Sequence, residues 1–315
     1  MRIAVLAAAD SWYLGDLRRA AAANHELTAF PFRAINSSVP HGAPRSGEAV
    51  SSHAGRGNEG GAVGVAAFAD DLRSFDALLV RTMPPGSLEQ VVFRMDALGR
   101  LESAGVPIIN TPRAIECAVD KYLTTARLAE AGLPVPRTIA CQTVEDAVQA
   151  FEILGGDVVL KPLFGGEGRG IARLNDEALA ERAFRLLVGL GSVLYLQEFI
   201  PHGDWDLRIL IIGKHVLAMR RTNQLDWRTN VSRGAVATSV EPLDGWVEIA
   251  RKAADVVGAS IAGVDLLPGR DGQMKVLEVN AVPGWRAIAA AHGRDVAAMV
   301  LEHVANLVHT RKAVR

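Results

Sequence analysis

Short apolar runs alternate with segments of helically spaced apolar positions through the first third of this chain. The runs predict buried strands at residues 1–10, 27–32, 76–81 and 106–110. Helices are predicted between them at residues 14–23 and 88–104. Because strands that alternate with helices form parallel sheets, we predict an N-terminal α/β domain over residues 1–112.

Residues 36–64 interrupt that pattern. They are rich in Ser, Gly, Pro and His and show little periodicity, which is typical of a long loop or a flexible insertion. His41 and His53 lie in this segment without other residues at metal-ligand spacing. We therefore predict a flexible insertion without a metal site.

Arg81 and Asn110 follow two of the predicted parallel strands. Ligands of open parallel sheets bind beyond the carboxyl ends of the strands, which would bring both side chains near a cleft. Ordinary loop polarity also accounts for them, and the pattern alone does not separate the two interpretations.

The remaining chain favours antiparallel pairing. Thr111-Pro112 is a typical helix start, and the spacing predicts one helix over residues 114–131. Apolar runs on both sides of Gly213-Lys214 indicate a β-hairpin. Two further strands, at residues 263–268 and 274–279, are joined by the turn GRDGQ. These signals contrast with the parallel sheet at the start.

The stretch VVLKPLFGGEGRGI, residues 158–171, is the first with candidate chemistry. A strand carries Lys161 into a loop with four glycines, whose backbone N–H groups can converge on an anion. A lysine ahead of such a loop adds a point charge for a phosphate. The alternative is a strand lysine that extends to water before a flexible turn. The glycine spacing matches neither a P-loop nor G-x-G-x-x-G.

The composition narrows the class of protein. The 34 basic and 35 acidic side chains give a net charge of −1, which argues against nucleic-acid binding through bulk charge. No apolar run reaches the roughly 18 residues of a membrane helix, and we interpret the N-terminal run as a first strand rather than a signal peptide. The two cysteines are too few for a disulfide framework. We predict a cytoplasmic protein without a membrane or nucleic-acid partner.

Three oxygen-bearing side chains, Asp265, Glu278 and Asn280, lie on the last two predicted strands. Alternation places Glu278 and Asn280 on one face, and pairing through GRDGQ would bring Asp265 beside them. Oxygen ligands completed by water and phosphate are typical of Mg²⁺. The alternative is a solvated face, but the neighbouring residues are apolar and a buried acid needs a partner.

Several ordered motifs resemble the RimK-type α-L-glutamate ligases of the ATP-grasp superfamily. They lie between about residues 110 and 295 and read DKYLTTARLAEAGLPVPRT, VVLKPLFGGEGRGI, LQEFI, DLRILIIG, AMRR, WRTNVSRGA, AGVDLL and LEVNAVPG. The resemblance implies an α/β ATP-grasp fold that holds ATP between antiparallel sheets. After the N-terminal domain, residues 113–200 would form the central subdomain with a glycine-rich lid. Residues 201–315 would form the C-terminal subdomain with the Mg²⁺ site.

The same resemblance assigns site residues. The residues implied in nucleotide binding are Lys121, Lys161, Gly165, Gly166, Gly168, Gly170, Gln197, Glu198, Phe199, Asp206, Arg228 and Asn230. Within this set, the two lysines would contact phosphates, Glu198 and Phe199 would meet adenine through the backbone, and Asp206 would bind the ribose. Asp265, Glu278 and Asn280 match the metal ligands, for Mg²⁺ or alternatively Mn²⁺.

Family chemistry implies an ATP-dependent ligase. An acceptor carboxylate would attack the γ-phosphate of ATP, and the amine of L-glutamate would then displace phosphate from the acyl phosphate. Such a reaction needs positioning and positive charge rather than a covalent nucleophile. Arginines can hold carboxylates in bidentate pairs, and the candidate catalytic residues are Arg208, Arg220, Arg221 and Arg233.

Several functions stay open at this point. The acceptor would be a protein C-terminus or a pterin-type cofactor, or alternatively an amino-group carrier protein of the lysine-biosynthesis type. A non-catalytic ATP-binding regulator would keep the nucleotide site without turnover. A Rossmann-type oxidoreductase is disfavoured because AAADSWYLGD, after the first strand, lacks a glycine fingerprint. The resemblance also suggests a homodimer or homotetramer.

Overall fold

The computed structural model describes residues 1–22, 24–38, 65–67, 70–166 and 168–314. Most of the predicted insertion, including His41 and His53, lies outside the described residues, as does Glu167. Two compact units are formed by Met1–Ile109 with Ala305–Arg315 and by Asn110–Val304. No helix in the described part of the chain has the length and apolar character of a membrane crossing. The predicted three-part division and the cytoplasmic location stay predictions.

The first unit contains the predicted parallel sheet. Its elements are β1 (Arg2–Leu6), α1 (Trp12–Ala21), β2 (Glu26–Phe30), β3 (Ile35–Ser37), β4 (Val65–Ala67), β5 (Asp70–Asp71), β6 (Ala77–Val80), α2 (Leu88–Ser103) and β7 (Ile108–Ile109). The main sheet has the order β2-β1-β6-β7 and is parallel throughout. Strands β3, β4 and β5 form a small antiparallel sheet.

The second unit contains two antiparallel sheets. The elements up to its middle are α3 (Pro112–Val119), α4 (Lys121–Glu130), β8 (Thr138–Cys141), α5 (Val144–Ile153), β9 (Val158–Lys161), β10 (Ala172–Leu174), α6 (Glu177–Gly189) and β11 (Leu194–Glu198). Its four-stranded sheet has the order β10-β9-β11-β8. Side chains from one face of this sheet pack with α5 and α6 in an apolar core.

The later elements build the five-stranded sheet. They are β12 (Trp205–Ile212), β13 (His215–Thr222), β14 (Val236–Val240), α7 (Asp244–Val257), β15 (Ile261–Pro268), β16 (Met274–Asn280), α8 (Arg286–His292) and α9 (Val296–Val314). The strand order is β14-β13-β12-β15-β16, and β12 and β13 form the predicted hairpin. The apolar pattern did not predict β10 and β14, because these edge strands bury few side chains.

The helix predicted over residues 114–131 is two helices. Helix α3 ends at Val119, and α4 begins at Lys121. Asp120 separates them, and its Oδ1 accepts a hydrogen bond from the N–H of Leu123 at 2.9 Å. Carboxylates at this position satisfy backbone donors that a helix start leaves open. The break places Lys121 at the first residue of α4.

Asp120→Ala should lower the free energy of unfolding by about 1 kcal/mol, because it removes the cap of α4. Asp120→Asn is the matched control, since asparagine caps helices as well as aspartate does. Chemical denaturation would compare the two variants with the wild type. Equal losses in both variants would contradict a capping role and indicate that the charge matters.

Asn110 binds backbone rather than lining a cleft of the parallel sheet. Its Nδ2 donates to the carbonyl oxygens of Ile261 and Ala281, both at 2.6 Å. Its Oδ1 accepts from the N–H groups of Ser260 and Ile261 at 2.8 and 3.1 Å. The amide is buried and engaged on both sides, so it fastens the start of β15 to the segment after β16.

Candidate active site

Side chains from both antiparallel sheets line a cleft in the second unit. The predicted site residues on its walls are Lys121, Lys161, Gly168, Asp206, Arg221, Arg228, Asn230, Asp265 and Glu278. Residues that sequence analysis did not assign also line it: Ile171, His202, Trp227, Thr229, Leu267 and Leu277. Residues distant in sequence therefore meet at one place.

The two lysines enter the cleft from different elements. Lys121 begins α4 and its Nζ donates to the carbonyl oxygen of Gly165 at 2.6 Å. Lys161 ends β9 and its Nζ donates to Oε1 of Gln197 at 2.5 Å. Burial lowers the pKa of Lys161 to about 8, although the charge of Glu278 opposes that change. Burial also lowers the pKa of Lys121, and the charge of Glu278 again opposes that change.

A chain of acids and arginines lies on one face of the five-stranded sheet. Oδ1 and Oδ2 of Asp265 accept from Nε and Nη2 of Arg208 at 2.6 and 3.0 Å. Nη2 of Arg221 lies 3.0 Å from Oδ2 of Asp265, and its Nε donates to Asp206 at 2.7 Å. Burial disfavours charge on Asp265, but the two guanidinium groups outweigh it and lower the pKa of this carboxyl.

The predicted metal ligands come from two paired strands. Asp265 lies opposite Glu278, and Gly263 lies opposite Asn280. Oδ1 of Asn280 accepts from the N–H of Val282 at 2.8 Å. Among the described residues, no three or more His, Cys, Asp or Glu side chains are grouped so that they could hold a metal ion. Two carboxylates and an amide oxygen are nevertheless the hard donors that Mg²⁺ takes, with water and phosphate completing its shell.

The glycine-rich loop is held at the edge of the cleft. Gly165, Gly168 and Gly170 have positive φ angles of 118°, 69° and 69°, which glycine adopts without strain. Nη2 of Arg233 donates to the carbonyl oxygen of Gly168 at 3.0 Å. A Cβ on Gly168 would lie 2.5 Å from Oδ1 of Asn230. Arg233 therefore contacts the loop backbone in this structure.

Arg233→Ala should free the glycine-rich loop. A hydrogen bond from a charged donor contributes about 1.5–3 kcal/mol, so local opening should rise about 10-fold or more. Trypsin cleavage after exposed Arg169 would report the opening as a faster cut. Arg182→Ala, on the exposed face of α6, is the control. Equal cleavage rates after Arg169 in all three proteins would contradict this contact.

Arg220 lies on the other face of the sheet. It pairs with Leu207, whereas Arg221 pairs with Asp206, and neighbouring residues of a strand point to opposite faces. The guanidinium of Arg220 stacks over the ring of Trp205, 4.4 Å from the centroid. The structure thus places Arg220 away from the cleft, and only the second arginine of AMRR faces the acids; the catalytic role of Arg220 stays a prediction that this placement disfavours.

The WRTN segment is fixed by side chains that cap its turn. Nδ2 of Asn223 donates to the carbonyl oxygens of Arg228 and Arg233 at 2.8 and 3.3 Å. Nε and Nη2 of Arg228 form a bidentate pair with Asp226, and its hydrogen bonds raise the pKa of Arg228. Sequence analysis missed Asn223, although asparagine after a strand is a turn signal.

The segment at the end of β11 has satisfied backbone donors. The N–H of Glu198 donates to the carbonyl oxygen of Arg137, and that of Phe199 donates to Asp157, both at 2.9 Å. Any backbone contact between adenine and these two residues would therefore use other atoms. Next to them, the ring of Phe199 meets Trp227 edge-on with centroids 5.8 Å apart.

Family comparison agrees with this geometry. The model of the RimK-like ATP-grasp domain matches residues 118–304, more than half of the chain. The chain belongs to this family.

Two curated relatives of this RimK-like chain are informative. A tetrahydromethanopterin:alpha-L-glutamate ligase from Methanosarcina acetivorans is 35% identical, over 75% of this chain and 82% of the relative. A probable alpha-L-glutamate ligase from Pseudoalteromonas translucida is 31% identical, over 75% of this chain and 78% of the relative.

Solved structures show the same fold. The RimK domain protein ATP-grasp from Sphaerobacter thermophilus has a TM-score of 0.70 at 23% identity, covering 96% of this RimK-like chain and 99% of the other. ATP-grasp ligase PsnB, complexed with minimal precursor, Mg and ADP, has a TM-score of 0.71 at 22% identity and covers 97% of each chain. The predicted ATP-grasp fold and the class of ATP-dependent, amide-forming ligase are confirmed.

Proposed function

We propose that this chain uses ATP and Mg²⁺ to join L-glutamate by an amide bond to a carboxylate of a pterin-type cofactor. The observation that carries the proposal is the meeting of Lys121 and Lys161 with Asp265 and Glu278 at one cleft. The 35% identity to a tetrahydromethanopterin:alpha-L-glutamate ligase supports the pterin-type acceptor over a protein C-terminus or a carrier protein.

The chain's own residues would act mainly through charge and position. The acceptor carboxylate attacks the γ-phosphorus of ATP, and ADP leaves. The amine of glutamate then forms the C–N bond, while phosphate leaves and the amine loses a proton. Lys121 and Lys161 neutralise charge that develops on the phosphoryl oxygens, and bound Mg²⁺ would supply further positive charge. Asp265, Glu278 and Asn280 would hold the ion.

The test is ADP release with Mg-ATP and L-glutamate, across pterin cofactors, peptide C-termini and carrier-type acceptors. Release that requires glutamate and a pterin-type acceptor, with a product heavier by one glutamyl residue, is the expected result. ADP release that depends on a peptide C-terminus instead would identify the C-terminus as the acceptor and contradict the pterin-type assignment. Tight ATP binding without release from any pair would contradict the ligase assignment.

Mg²⁺ is expected to bind together with the nucleotide. Five cations and four carboxylates gather at the site or pair with its residues: Lys121, Lys161, Arg208, Arg221, Arg228, Asp206, Asp226, Asp265 and Glu278. Their formal charges leave one positive charge, which opposes a lone divalent cation but favours the ion with polyanionic ATP. Calorimetry should detect binding of Mg²⁺ to the protein only when a non-hydrolysable ATP analogue is present. Tight Mg²⁺ binding to the protein alone would contradict this charge balance.

A further inference from the structure

A buried polar network covers the face of the four-stranded sheet that carries Lys161. Tyr195 lies opposite Lys161 in the register of β9 and β11, and Gln197 lies opposite Thr138 in that of β11 and β8. Opposite residues share a face, so all four side chains emerge on one side. Gln197 is only 2% exposed, which obliges its amide to find hydrogen-bond partners within the protein.

The orientation of the Gln197 amide follows from the donors around it. The hydroxyl of Thr138 donates its one proton to the carbonyl oxygen of Pro136 at 2.9 Å, so it can only accept from Gln197. Nε2 of Gln197 therefore points at Thr138, at 3.0 Å. Its Oε1 then faces the ammonium group of Lys161, at 2.5 Å. The reversed amide would set donor against donor at Lys161 and acceptor against acceptor at Thr138.

The network continues to the helix that carries the other lysine. Nε2 of Gln197 also donates to the phenol oxygen of Tyr195, at 3.4 Å. That oxygen lies 2.8 Å from Oγ1 of Thr125, which is one turn beyond Lys121 on α4. Burial raises the pKa of Tyr195, so the phenol keeps its proton and can donate to Thr125. The network therefore connects the strand that ends at Lys161 with the helix that begins at Lys121.

We propose that Gln197, oriented by Thr138 and Tyr195, is a positioning residue that holds the Lys161 ammonium with a neutral acceptor. This inference rests on the proposed function, in which Lys161 meets the phosphates of ATP. A neutral amide fixes the ammonium group without cancelling its charge. A carboxylate at the same place would form a buried ion pair with Lys161 and repel the phosphates.

Gln197→Glu is the decisive variant, because it changes charge while nearly conserving shape. We expect ATP to bind about 10-fold more weakly or worse, and adenosine, which has no phosphate, to bind within about 2-fold of wild type. Gln142→Glu adds the same charge at an exposed position after β8 and is the matched control. Calorimetry with both ligands would measure the two affinities, and thermal unfolding would check the fold.

Thr138 supplies a second test should Gln197→Glu fail to fold. Thr138→Val removes the acceptor that orients the amide, so it should lower the affinity for ATP but not the affinity for adenosine. Thr138→Ser keeps the hydroxyl and should bind ATP with the affinity of the wild type. Unchanged ATP affinity in the folded Gln197→Glu and Thr138→Val proteins would overturn the positioning role. Equal losses for ATP and adenosine would also overturn it, by indicating general disruption. A wild-type protein that binds no ATP would instead refute the proposed function.

Discussion

Lys161→Met is expected to reduce ADP formation at least about 100-fold while the protein stays folded. The ammonium of Lys161 is fixed at 2.5 Å from Gln197 and borders the same cleft as Glu278. Methionine keeps an apolar stem of similar length, so packing along β9 should change little. We expect this position to need the compact charge of lysine, so Lys161→Arg should also lose most turnover because the planar guanidinium fork does not reproduce that geometry.

The pH dependence offers an independent check of this lysine. Burial lowers the pKa of Lys161 to about 8, so its charged form dominates below that pH and is lost as the pH rises above it. ATP affinity of the wild type should therefore fall as the pH rises through about 8, and Lys161→Met should flatten that part of the profile.

Lys252→Met, at an exposed position of α7, is the matched control and should behave like the wild type. Steady-state ADP release and calorimetry would provide the two measurements. Turnover near the wild-type rate in Lys161→Met would exclude this lysine from the reaction. A pH profile that is unaltered in the variant would exclude it as the titrating group.

Local sequence signals were sufficient to predict several parts of the site. Lys161 and the glycine loop stand together in one strand-loop segment, and the turn GRDGQ correctly predicts that Asp265 and Glu278 are paired. The break at Asp120 was missed, because apolar spacing continues through it and capping depends on which backbone groups are left open.

Contacts between distant segments could not be read from the sequence. Arg208 and Asp265 are 57 positions apart, and their strands become neighbours only in the folded sheet. Alternation in AMRR implies that Arg220 and Arg221 point to opposite faces, but it does not say which face borders the cleft. The pairing of Arg221 with Asp206 determines that Arg221 is the arginine that faces the cleft, and the neighbours of Asp206 are themselves set by tertiary packing.

Asp265→Asn is expected to cause the largest loss of stability, about 3–5 kcal/mol, because it leaves buried positive charge without its carboxylate. Asp265 is 3% exposed and Arg221 is equally buried. Since Asp206 still pairs with Arg221, the uncompensated charge falls mainly on Arg208. The substituted amide would also direct donors at a guanidinium group. Chemical denaturation should show the loss as a lower midpoint.

Asp226→Asn is the control, because its pair with Arg228 is more exposed and should contribute only about 0–1 kcal/mol.

A double variant, Asp265→Leu with Arg208→Met, separates stability from function. Replacing both charges by apolar groups should recover much of the stability lost in Asp265→Asn, as for other buried ion pairs. ADP formation should be abolished in Asp265→Asn and in the double variant, because both lack the proposed metal ligand and the double variant also lacks Arg208, a candidate catalytic residue. Recovery of turnover with stability would show that Asp265 serves the fold alone, whereas stability of Asp265→Asn within about 0.5 kcal/mol of wild type would contradict the buried pair.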